Sequence, residues 1–351
     1  MTLSALIRRA AVILSLALFL ATAGFVHAAE VLRVLAWPGY ADPDVVRSFE
    51  TRHDVRIEVT TIDSDTDLWK KISQNRGKDF DVFAVNTAEL QRYLRQDLVT
   101  PIPRAEIPNL SRQLPRFRDI RALPGIVHNG KLVAIPYTYS EMGLIYDPKQ
   151  FPTPPDSISA LWDPRYRGRV VAYNGGTHAF SLAAQHLGLP PFQADDRQWP
   201  ALVDALVALR RNVAGFYTQP EESIELFRQR KAALMFANFG SQQVKLLREA
   251  GVDVAYTLPK EGALAWLDCW VITRGARNPA LAAAWINHLL EDMPGRVLLE
   301  RQGLANTTTE SPSFRPDAKI IWLQPVESEE RRNLLWGRIA SGDRASRVLR
   351  P

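Results

Sequence analysis

The chain has 351 residues, of which 46% are hydrophobic and 23% charged, and its formal net charge is +5. A chain of this length exceeds the usual size of one hydrophobic core and is expected to divide into two domains. The mild charge and the lack of a basic stripe with interleaved aromatic residues argue against a nucleic-acid partner. The single cysteine, Cys269, excludes an internal disulfide.

The first 28 residues predict a cleaved signal peptide. Arg8 and Arg9 precede an apolar run at residues 10–25, and residues 26–28 (Val-His-Ala) fit the small-residue pattern before a cleavage site. The alternative is a membrane anchor, but a spanning helix needs about 20 apolar residues, and serine, threonine and glycine interrupt this run. No cysteine follows it for lipid attachment. We therefore expect a freely diffusing periplasmic chain of net charge +3, because the removed segment carries two arginines and no acid.

The mature chain opens with alternating strand and helix signals. Strands are predicted at residues 31–37, 55–62 and 80–85, and helices after Asp42, over 65–74 and after Asn86. Asp42 followed by Pro43 is typical of a helix N-terminus, and Asn86-Thr87 offers polar capping groups before apolar positions. This βαβαβα order predicts a mostly parallel sheet covered by helices.

The middle of the chain is less regular, and a second α/β block follows it. Residues 98–123 contain four prolines and predict irregular structure with a short helix at most. Residues 131–147 and 263–273 predict two long extended stretches. The second block is predicted to contain strands 170–173, 233–237 and 252–258, a short segment at 214–217, and helices 178–187, 199–210, 220–231 and 241–250. After the second stretch come predicted helices at 279–290, 294–301 and 328–340, with a polar run at 305–313.

Two α/β blocks joined by two extended stretches that lie far apart in sequence predict two lobes with a double crossover. The chain is expected to pass to the second lobe near Tyr137 and to return near Asp268. We therefore predict lobe 1 at residues 29–137 and 269–304, and lobe 2 at residues 138–268 and 305–351. Such a connection acts as a hinge, and ligands bind in the cleft because strand ends and helix N-termini of both sheets converge there.

Several short motifs resemble those of the periplasmic spermidine/putrescine-binding proteins of ABC transporters, over nearly the whole mature chain. In chain order they are Trp-Pro-Gly-Tyr at 37–40, Phe-Asp-Val at 80–82, Ala-Ile-Pro-Tyr at 134–137, Ala-Leu-Trp-Asp-Pro-Arg-Tyr-Arg-Gly-Arg at 160–169, Pro-Lys-Glu-Gly at 259–262 and Trp-Leu-Asp at 266–268. Each motif is weak alone, and their shared order and spacing carry the resemblance.

The resemblance implies an α/β, two-lobed type II periplasmic binding protein fold. Two mixed, mostly parallel sheets flanked by helices would be joined by a two-stranded hinge with a cleft between the lobes. It also implies a binding protein and not an enzyme, with a small cationic solute such as putrescine or spermidine, and an inner-membrane ABC permease as partners. We expect a monomer without a cofactor or a metal.

Trp266 and Asp268 are the strongest candidates for holding a cation. They are two apart on a predicted strand, so both side chains project to one face. An indole face contributes roughly 0.5–2 kcal/mol to binding an ammonium group, and a carboxylate adds a charge-assisted hydrogen bond. In the family, the matching residues do this work. The alternative is that Trp266 is core and that Asp268 pairs with an arginine of its own sheet.

Two predicted turns supply further candidates. Trp37 and Tyr40 follow the first strand, and the resemblance makes them walls of the pocket, although they could instead pack against the following helix. Asn86 and Thr87 follow the third strand and could bond the ligand, cap the helix or do both.

The first extended stretch and the second lobe supply the remaining candidates. Tyr137, Tyr139 and Glu141 fall at period two and are predicted to share one face, with Tyr139 at an aromatic position of the family. Glu141 could be a second cation anchor, or it could be solvated or paired with an arginine. His178 is a further candidate ligand-binding residue.

One departure from the family bears on the ligand. Spermidine-type members carry acids in the stretch that here reads Asn-Gly-Gly-Thr-His at 174–178, and a tryptophan at or near Ala237. A long polyamine needs an acid at each end, because a buried unpaired ammonium is costly. Either Glu141, Glu221 or Glu222 compensates, or the ligand has a neutral or anionic second end, as in an amino-acid derivative. The Gly-Gly-Thr helix start would suit an anionic group.

Two other classes of function are open. A secreted enzyme is the distant alternative, because the sequence contains no nucleophile elbow, phosphate-binding loop or zinc motif. A binding protein of the same fold could instead take thiamine or a ferric ion. Iron sites of this fold use paired tyrosines, and no adjacent tyrosines occur here.

Overall fold

The structure is a computed structural model that describes residues 29–311 and 315–350. The predicted signal peptide, residues 1–28, lies outside the described residues. Within them, no helix combines the length and the apolar character needed to cross a membrane.

The first α/β block agrees with the prediction to within two residues at most ends. Its elements are β1 (Glu30–Ala36), α1 (Pro43–His53), β2 (Val55–Thr61), α2 (Asp65–Ser73), β3 (Val82–Asn86) and α3 (Thr87–Arg95). Asp42 caps α1 by accepting a hydrogen bond from the Asp44 amide, and Asn86 caps α3 through the Glu89 amide at 2.9 Å.

The irregular middle leads into the first crossing strand. Short elements precede it, namely β4 (Val99–Thr100), 3-10 turns at Arg104–Glu106 and Pro108–Arg112, α4 (Pro115–Arg118), β5 (Val127–His128) and β6 (Lys131–Leu132). The crossing strand itself is β7 (Ile135–Tyr146), and every one of its residues is buried.

The second block lies between the two crossing strands. Its elements are β8 (Val170–Tyr173), α5 (Gly176–His186), α6 (Trp199–Asn212), β9 (Val213–Tyr217), α7 (Pro220–Gln229), β10 (Leu234–Ala237), α8 (Ser241–Glu249), β11 (Ala255–Thr257) and the returning strand β12 (Ala263–Thr273). The C-terminal part contains α9 (Pro279–Leu289), α10 (Asp292–Gln302), β13 (Ala305–Asn306), β14 (Ile320–Trp322), α11 (Glu329–Ala340) and α12 (Ala345–Val348).

The strands form two mixed groups that share β7. The hydrogen-bonded order is β2-β1-β3-β12-β7-β10-β8-β9. In the first group β1 runs parallel to β2 and β3, and β12 is antiparallel to β3. Residues 135–142 of β7 pair with β12, whereas residues 143–146 pair with β10. The two long antiparallel strands β7 and β12 are therefore the connection between the two halves.

Where each lobe begins and ends stays a prediction, and two contacts bear on it. α11 packs against α5 and α6, as expected for a C-terminal segment of lobe 2. β13, however, pairs with Thr138 and Tyr139, in the part of β7 that also pairs with β12. Residues 305–306 thus lie against the first group of strands, although the sequence assigned them to lobe 2.

A bulge in β7 decides which side chains share a face. Asp268 lies opposite Thr138 but Cys269 lies opposite Pro136, so Tyr137 is an extra residue in β7. Its ring packs 5.7 Å from that of Trp270, on the face that also carries Asp268. After the bulge the usual alternation resumes, and it places Tyr139 on the opposite face.

A buried ion pair fixes β1 to the loops at its side. Arg33 contacts Asp81 at 2.7 Å, and the backbone amides of Arg33 and Arg277 also donate to the Asp81 carboxylate. Burial alone would raise the pKa of Asp81, but these hydrogen bonds hold it below its usual range.

Candidate ligand-binding site

The centre of the candidate site is Asp268, which lies opposite Asn86 in the β3–β12 pair and is 7% exposed. The Tyr40 hydroxyl donates to it at 2.5 Å. Burial raises the pKa of Asp268 to about 7; the Tyr40 hydrogen bond opposes this shift and the nearby carboxylate of Asp65 adds to it. No arginine or lysine of residues 29–311 and 315–350 forms an ion pair with Asp268, so the alternative of a structural arginine pair is not what the structure shows.

Trp266 lies on the same face of β12, as the spacing predicted. Its indole nitrogen donates to the backbone carbonyl of Asn238 at 2.9 Å, just after β10. This bond fixes the indole of the crossing strand against lobe 2. The side-chain oxygen of Asn238 is buried and has no hydrogen-bond partner among the described residues. An aromatic ring and a carboxylate therefore share one face of β12, and the residue that holds the ring also carries an unused acceptor.

The turn after β1 also reaches this place. Tyr40 is buried, and its ring lies edge-on to Tyr137 at 5.6 Å and to Trp270 at 6.5 Å. The Tyr137 hydroxyl in turn donates to the Tyr40 carbonyl at 3.3 Å. Trp37 is half-buried, and its indole nitrogen has no partner in the described part of the chain. The rings hold the Tyr40 phenol in position for Asp268.

Asn86 and Thr87 occupy the start of α3, as predicted. Asn86 caps the helix through its side-chain oxygen, and its side-chain nitrogen donates to the Asp65 carboxylate at 3.3 Å. Both polar atoms of this side chain therefore have partners. Thr87 is buried, and its hydroxyl oxygen makes no hydrogen bond to a described residue. Capping is therefore established for Asn86, and a ligand contact stays a prediction for both residues.

Tyr139 and Glu141 do not join Asp268, which corrects the expectation that they share one face with Tyr137. Since the bulge turns Tyr137 to the other side, Tyr139 packs instead on Phe117 with ring centroids 5.0 Å apart. Glu141 contacts Arg116 at 3.3 Å. Burial raises the pKa of Glu141 while Arg116 lowers it. The arginine-paired alternative for Glu141 is the one that the structure shows.

His178 packs beside Tyr173, the last residue of β8. It is half-buried near the start of α5, with its ring 5.0 Å from that of Tyr173. Burial, with a smaller effect of Arg332, lowers the pKa of His178 to about 4, so the imidazole is neutral. α11 packs on the start of this helix: a β carbon on Gly176 would lie 2.4 Å from the Asn333 side chain. This packing gives no support to an anionic ligand group at the Gly-Gly-Thr turn.

The structure gives no support to the two acids of α7 as a second cation anchor. Glu222 accepts hydrogen bonds from the backbone amide and the hydroxyl of Thr218 at 2.7 and 2.9 Å. It thereby helps to cap the N-terminus of its own helix. These bonds lower its pKa. Glu221 is exposed beside it.

Sequence reasoning missed three acids, namely Asp65, Glu89 and Glu329. Burial raises the pKa of Asp65 to about 6, and Glu329 adds to the shift. Burial likewise raises the pKa of Glu89 to about 8, with further contributions from Asp65 and Glu329. Asp65 and Glu89 stand in the first turns of helices that follow strands, which is a signal that could have found them. No local signal marks Glu329.

The comparisons with known proteins agree with this architecture. The family model described as bacterial extracellular solute-binding protein matches residues 44–320. The spermidine/putrescine-binding periplasmic protein of Escherichia coli is 23% identical over 301 residues, which are 81% of this chain and 83% of that protein. The putrescine-binding periplasmic protein SpuD of Pseudomonas aeruginosa is 24% identical over 297 residues, covering 80% and 79%.

Solved structures confirm the fold. The spermidine/putrescine ABC transporter substrate-binding protein of Streptococcus pneumoniae, in complex with calcium and HEPES, superimposes with a TM-score of 0.71 at 21% identity, over 89% of this chain and all of that one. The periplasmic binding protein AgtB of A. tumefaciens, in complex with agropinic acid, gives a TM-score of 0.60 at 18% identity, over 90% and 98%. The resemblance noted from the motifs, and the two-lobed α/β fold it implied, are thus confirmed.

Proposed function

Because this chain belongs to the bacterial extracellular solute-binding proteins, we propose that it captures a small cationic amine of the putrescine and spermidine class in the cleft between its lobes. The proposal includes a periplasmic location after removal of residues 1–28, and delivery of the amine to an inner-membrane ABC permease. A binding role, and not catalysis, is what the chain's relatives support.

The observation that carries this proposal is the environment of Asp268. This carboxylate is 7% exposed and receives, among the described residues, only a phenol hydrogen bond, so it is costly to ionise. An ammonium group removes that cost, since it can form a charge-assisted hydrogen bond with Asp268 and lie against the indole of Trp266. Neither an anion nor a neutral solute would compensate the carboxylate in this way.

The names of the relatives point to the same chemistry. Those quoted above bind spermidine or putrescine by name, and they cover most of this chain. At 20–24% identity they indicate the class of solute, and the choice among amines depends on this chain's own residues.

A thermal-shift screen of the mature chain tests the proposal. The panel contains putrescine, spermidine, an amino acid, thiamine and ferric citrate at matched ionic strength. A solute that binds only the folded state raises the melting temperature by mass action, and the increase grows with its concentration. We expect an increase with the two amines and none with the other solutes. An increase with only thiamine, iron or the amino acid would contradict the proposal.

A further inference from the structure

The three parallel strands of the second block begin side by side at one edge of their sheet. β8 lies between β9 and β10 and runs parallel to both. The Gly168 amide donates to the Asn212 carbonyl, and the Ala233 amide donates to the Arg169 carbonyl, both at 2.8 Å. The segments that lead into the three strands are therefore neighbours in space.

These segments carry six exposed basic side chains, at the ends of α6 and α7 and in the turn before β8. The six are called the basic edge below: Arg167, Arg169, Arg211, Arg228, Arg230 and Lys231. None of them forms an ion pair within the part of the chain that the structure describes. Because the whole chain has a formal net charge of only +5, its positive charge is concentrated at this edge.

The nearby acids do not neutralise the basic edge. Within residues 163–169, 210–212 and 228–233 the one acid is Asp163, and it pairs with Arg165 at 2.5 Å. Asp147 and Glu225 flank the edge, and each accepts a hydrogen bond from a glutamine side chain. Two carboxylates against six cations leave a clear excess of positive charge.

The C-terminal tail extends this surface. Arg210 of α6 donates to the Asp343 carbonyl at 3.1 Å, so the tail after α11 lies against the end of that helix. Arg344 and Arg350 of the tail are exposed and take part in no ion pair with another described residue. Leu349, which lies between them in sequence, is 37% exposed. The tail thus adds two cations and one apolar side chain to the basic edge.

The basic edge lies at the far side of the sheet from the candidate site. Asn238, whose carbonyl holds the indole of Trp266, directly follows the other end of β10. The three strands are four or five residues long, so about 13–17 Å of strand separates their two ends. A partner at the basic edge therefore leaves the ligand cleft open.

We propose that the basic edge docks on a bilayer surface that contains anionic phospholipids. Guanidinium groups match the geometry of phosphate oxygens, and each basic residue close to an anionic membrane surface adds to the attraction. Leu349 is the type of side chain that enters the headgroup region. The inference goes beyond the proposed function and takes from it only the periplasmic location, where the outer surface of the inner membrane is within reach.

Co-sedimentation of the mature chain with lipid vesicles tests the inference. One set of vesicles consists of phosphatidylcholine, and the other also contains about 30% phosphatidylglycerol. We expect binding to the second set at about 50 mM salt and none to the first. Salt at about 500 mM should release the protein, because it screens exposed charges.

Two triple variants locate the contact. The basic-edge variant combines Arg167→Gln, Arg211→Gln and Arg230→Gln, whose side chains make no hydrogen bond to a described residue, so it should fold. The control removes the same charge from exposed arginines of the first block, through Arg95→Gln, Arg104→Gln and Arg121→Gln. The basic-edge variant should weaken vesicle binding by about tenfold or more, and the control should leave it within about twofold.

Thermal midpoints verify that both variants fold. If the basic-edge variant is unstable, Arg167→Gln alone, in a turn, should still weaken vesicle binding by about threefold or more. Equal losses in the two triple variants would show that only the overall charge matters, and equal binding to both sets of vesicles would show that anionic lipid is not needed. Either result overturns the inference.

Binding to heparin or to an oligonucleotide, with none to vesicles at the same salt concentration, would also overturn it, because the partner would then not be a membrane. The affinity for putrescine should be the same in both triple variants as in the wild type. If the wild type binds no putrescine, the proposed ligand is wrong, whereas the vesicle result still decides whether the basic edge binds a membrane.

Discussion

The hydroxyl of Tyr40 donates a 2.5 Å hydrogen bond to the carboxylate of Asp268, across 228 positions of sequence. The bond joins the turn after β1 to the middle of the returning strand β12. It orients the carboxylate and stabilises its ionised form, while burial acts in the opposite direction. The binding chemistry that we propose depends on this balance.

Tyr40→Phe tests the contribution of that hydrogen bond. The substitution keeps the ring that packs on Tyr137 and Trp270 but removes the donor, so the pKa of Asp268 should rise further and less of it should be ionised at neutral pH. We expect the affinity for putrescine to fall by about 1.5–3 kcal/mol, the usual value of a hydrogen bond to a charged group. Calorimetry measures it, with Tyr166→Phe as control, because the half-buried ring of Tyr166 stacks on Phe151 and makes no contact with Asp268. Equal affinities of the variant and the wild type would show that the hydroxyl has no role in binding.

The dependence on pH follows from the raised pKa values of Asp65, Glu89 and Asp268, about 6, 8 and 7. In the unfolded chain these groups titrate near 3.8 to 4.5. Between these values the ligand-free folded state binds more protons than the unfolded one, so its stability should decrease as pH rises from about 4 to 8. A cationic ligand favours the ionised carboxylates, so its affinity should increase over the same range.

Melting temperatures of the free and the putrescine-saturated protein measure both effects. They are taken between about pH 5 and 8.5, because this range covers the raised pKa values. We expect the difference between the two curves to widen with rising pH. A difference that is greatest at pH 5 would contradict the role of these carboxylates in binding.

Glu141→Gln tests the assignment of faces on β7. Because Glu141 contacts Arg116 on the side away from Asp268, its charge should not reach the ligand. The affinity for putrescine should stay within about twofold of the wild type, since only a charge that contacts the ligand directly is expected to cost more. If Glu141→Gln weakened putrescine binding as much as the loss of a direct ammonium partner would, Glu141 would belong to the binding site. The proposed arrangement of faces on β7 would then be wrong.

Asp81→Asn separates stability from binding. Asp81 is 1% exposed and accepts hydrogen bonds from the Arg33 side chain and two backbone amides. Replacing one partner of a buried ion pair costs about 3–5 kcal/mol of unfolding free energy, which urea denaturation measures. The affinity of the folded protein for putrescine should be unchanged. An unchanged urea midpoint would show that this ion pair does not stabilise the fold.

Local signals in the sequence predicted much of the fold and part of the site. β12 was predicted with the bounds that the structure has, Ala263–Thr273, because a long apolar run between turn residues is typical of a buried strand. The cap at Asn86 was predicted from its position after a strand. The shared face of Trp266 and Asp268 followed from the period of a strand alone.

The rest depends on partners that are distant in sequence. Tyr139 and Glu141 were placed with Tyr137 because their spacing is two, but the bulge at Tyr137 exists only in the pairing of β7 with β12. Glu329 opens a helix whose position is set by packing on α5 and α6. The resemblance implied lobe-2 acids in the stretch at residues 174–178, and this sequence has none there.

The most direct test of the central claim is the calorimetric affinity of Asp268→Asn for putrescine. The control is Asp253→Asn, which removes a carboxylate from an exposed position. If Asp268 pairs with the ammonium group, its substitution should cost about 2–5 kcal/mol of binding free energy, or roughly 30-fold or more in affinity, while the circular dichroism spectrum is unchanged. An affinity equal to that of the wild type and of Asp253→Asn would contradict the assignment of Asp268 as the cation anchor.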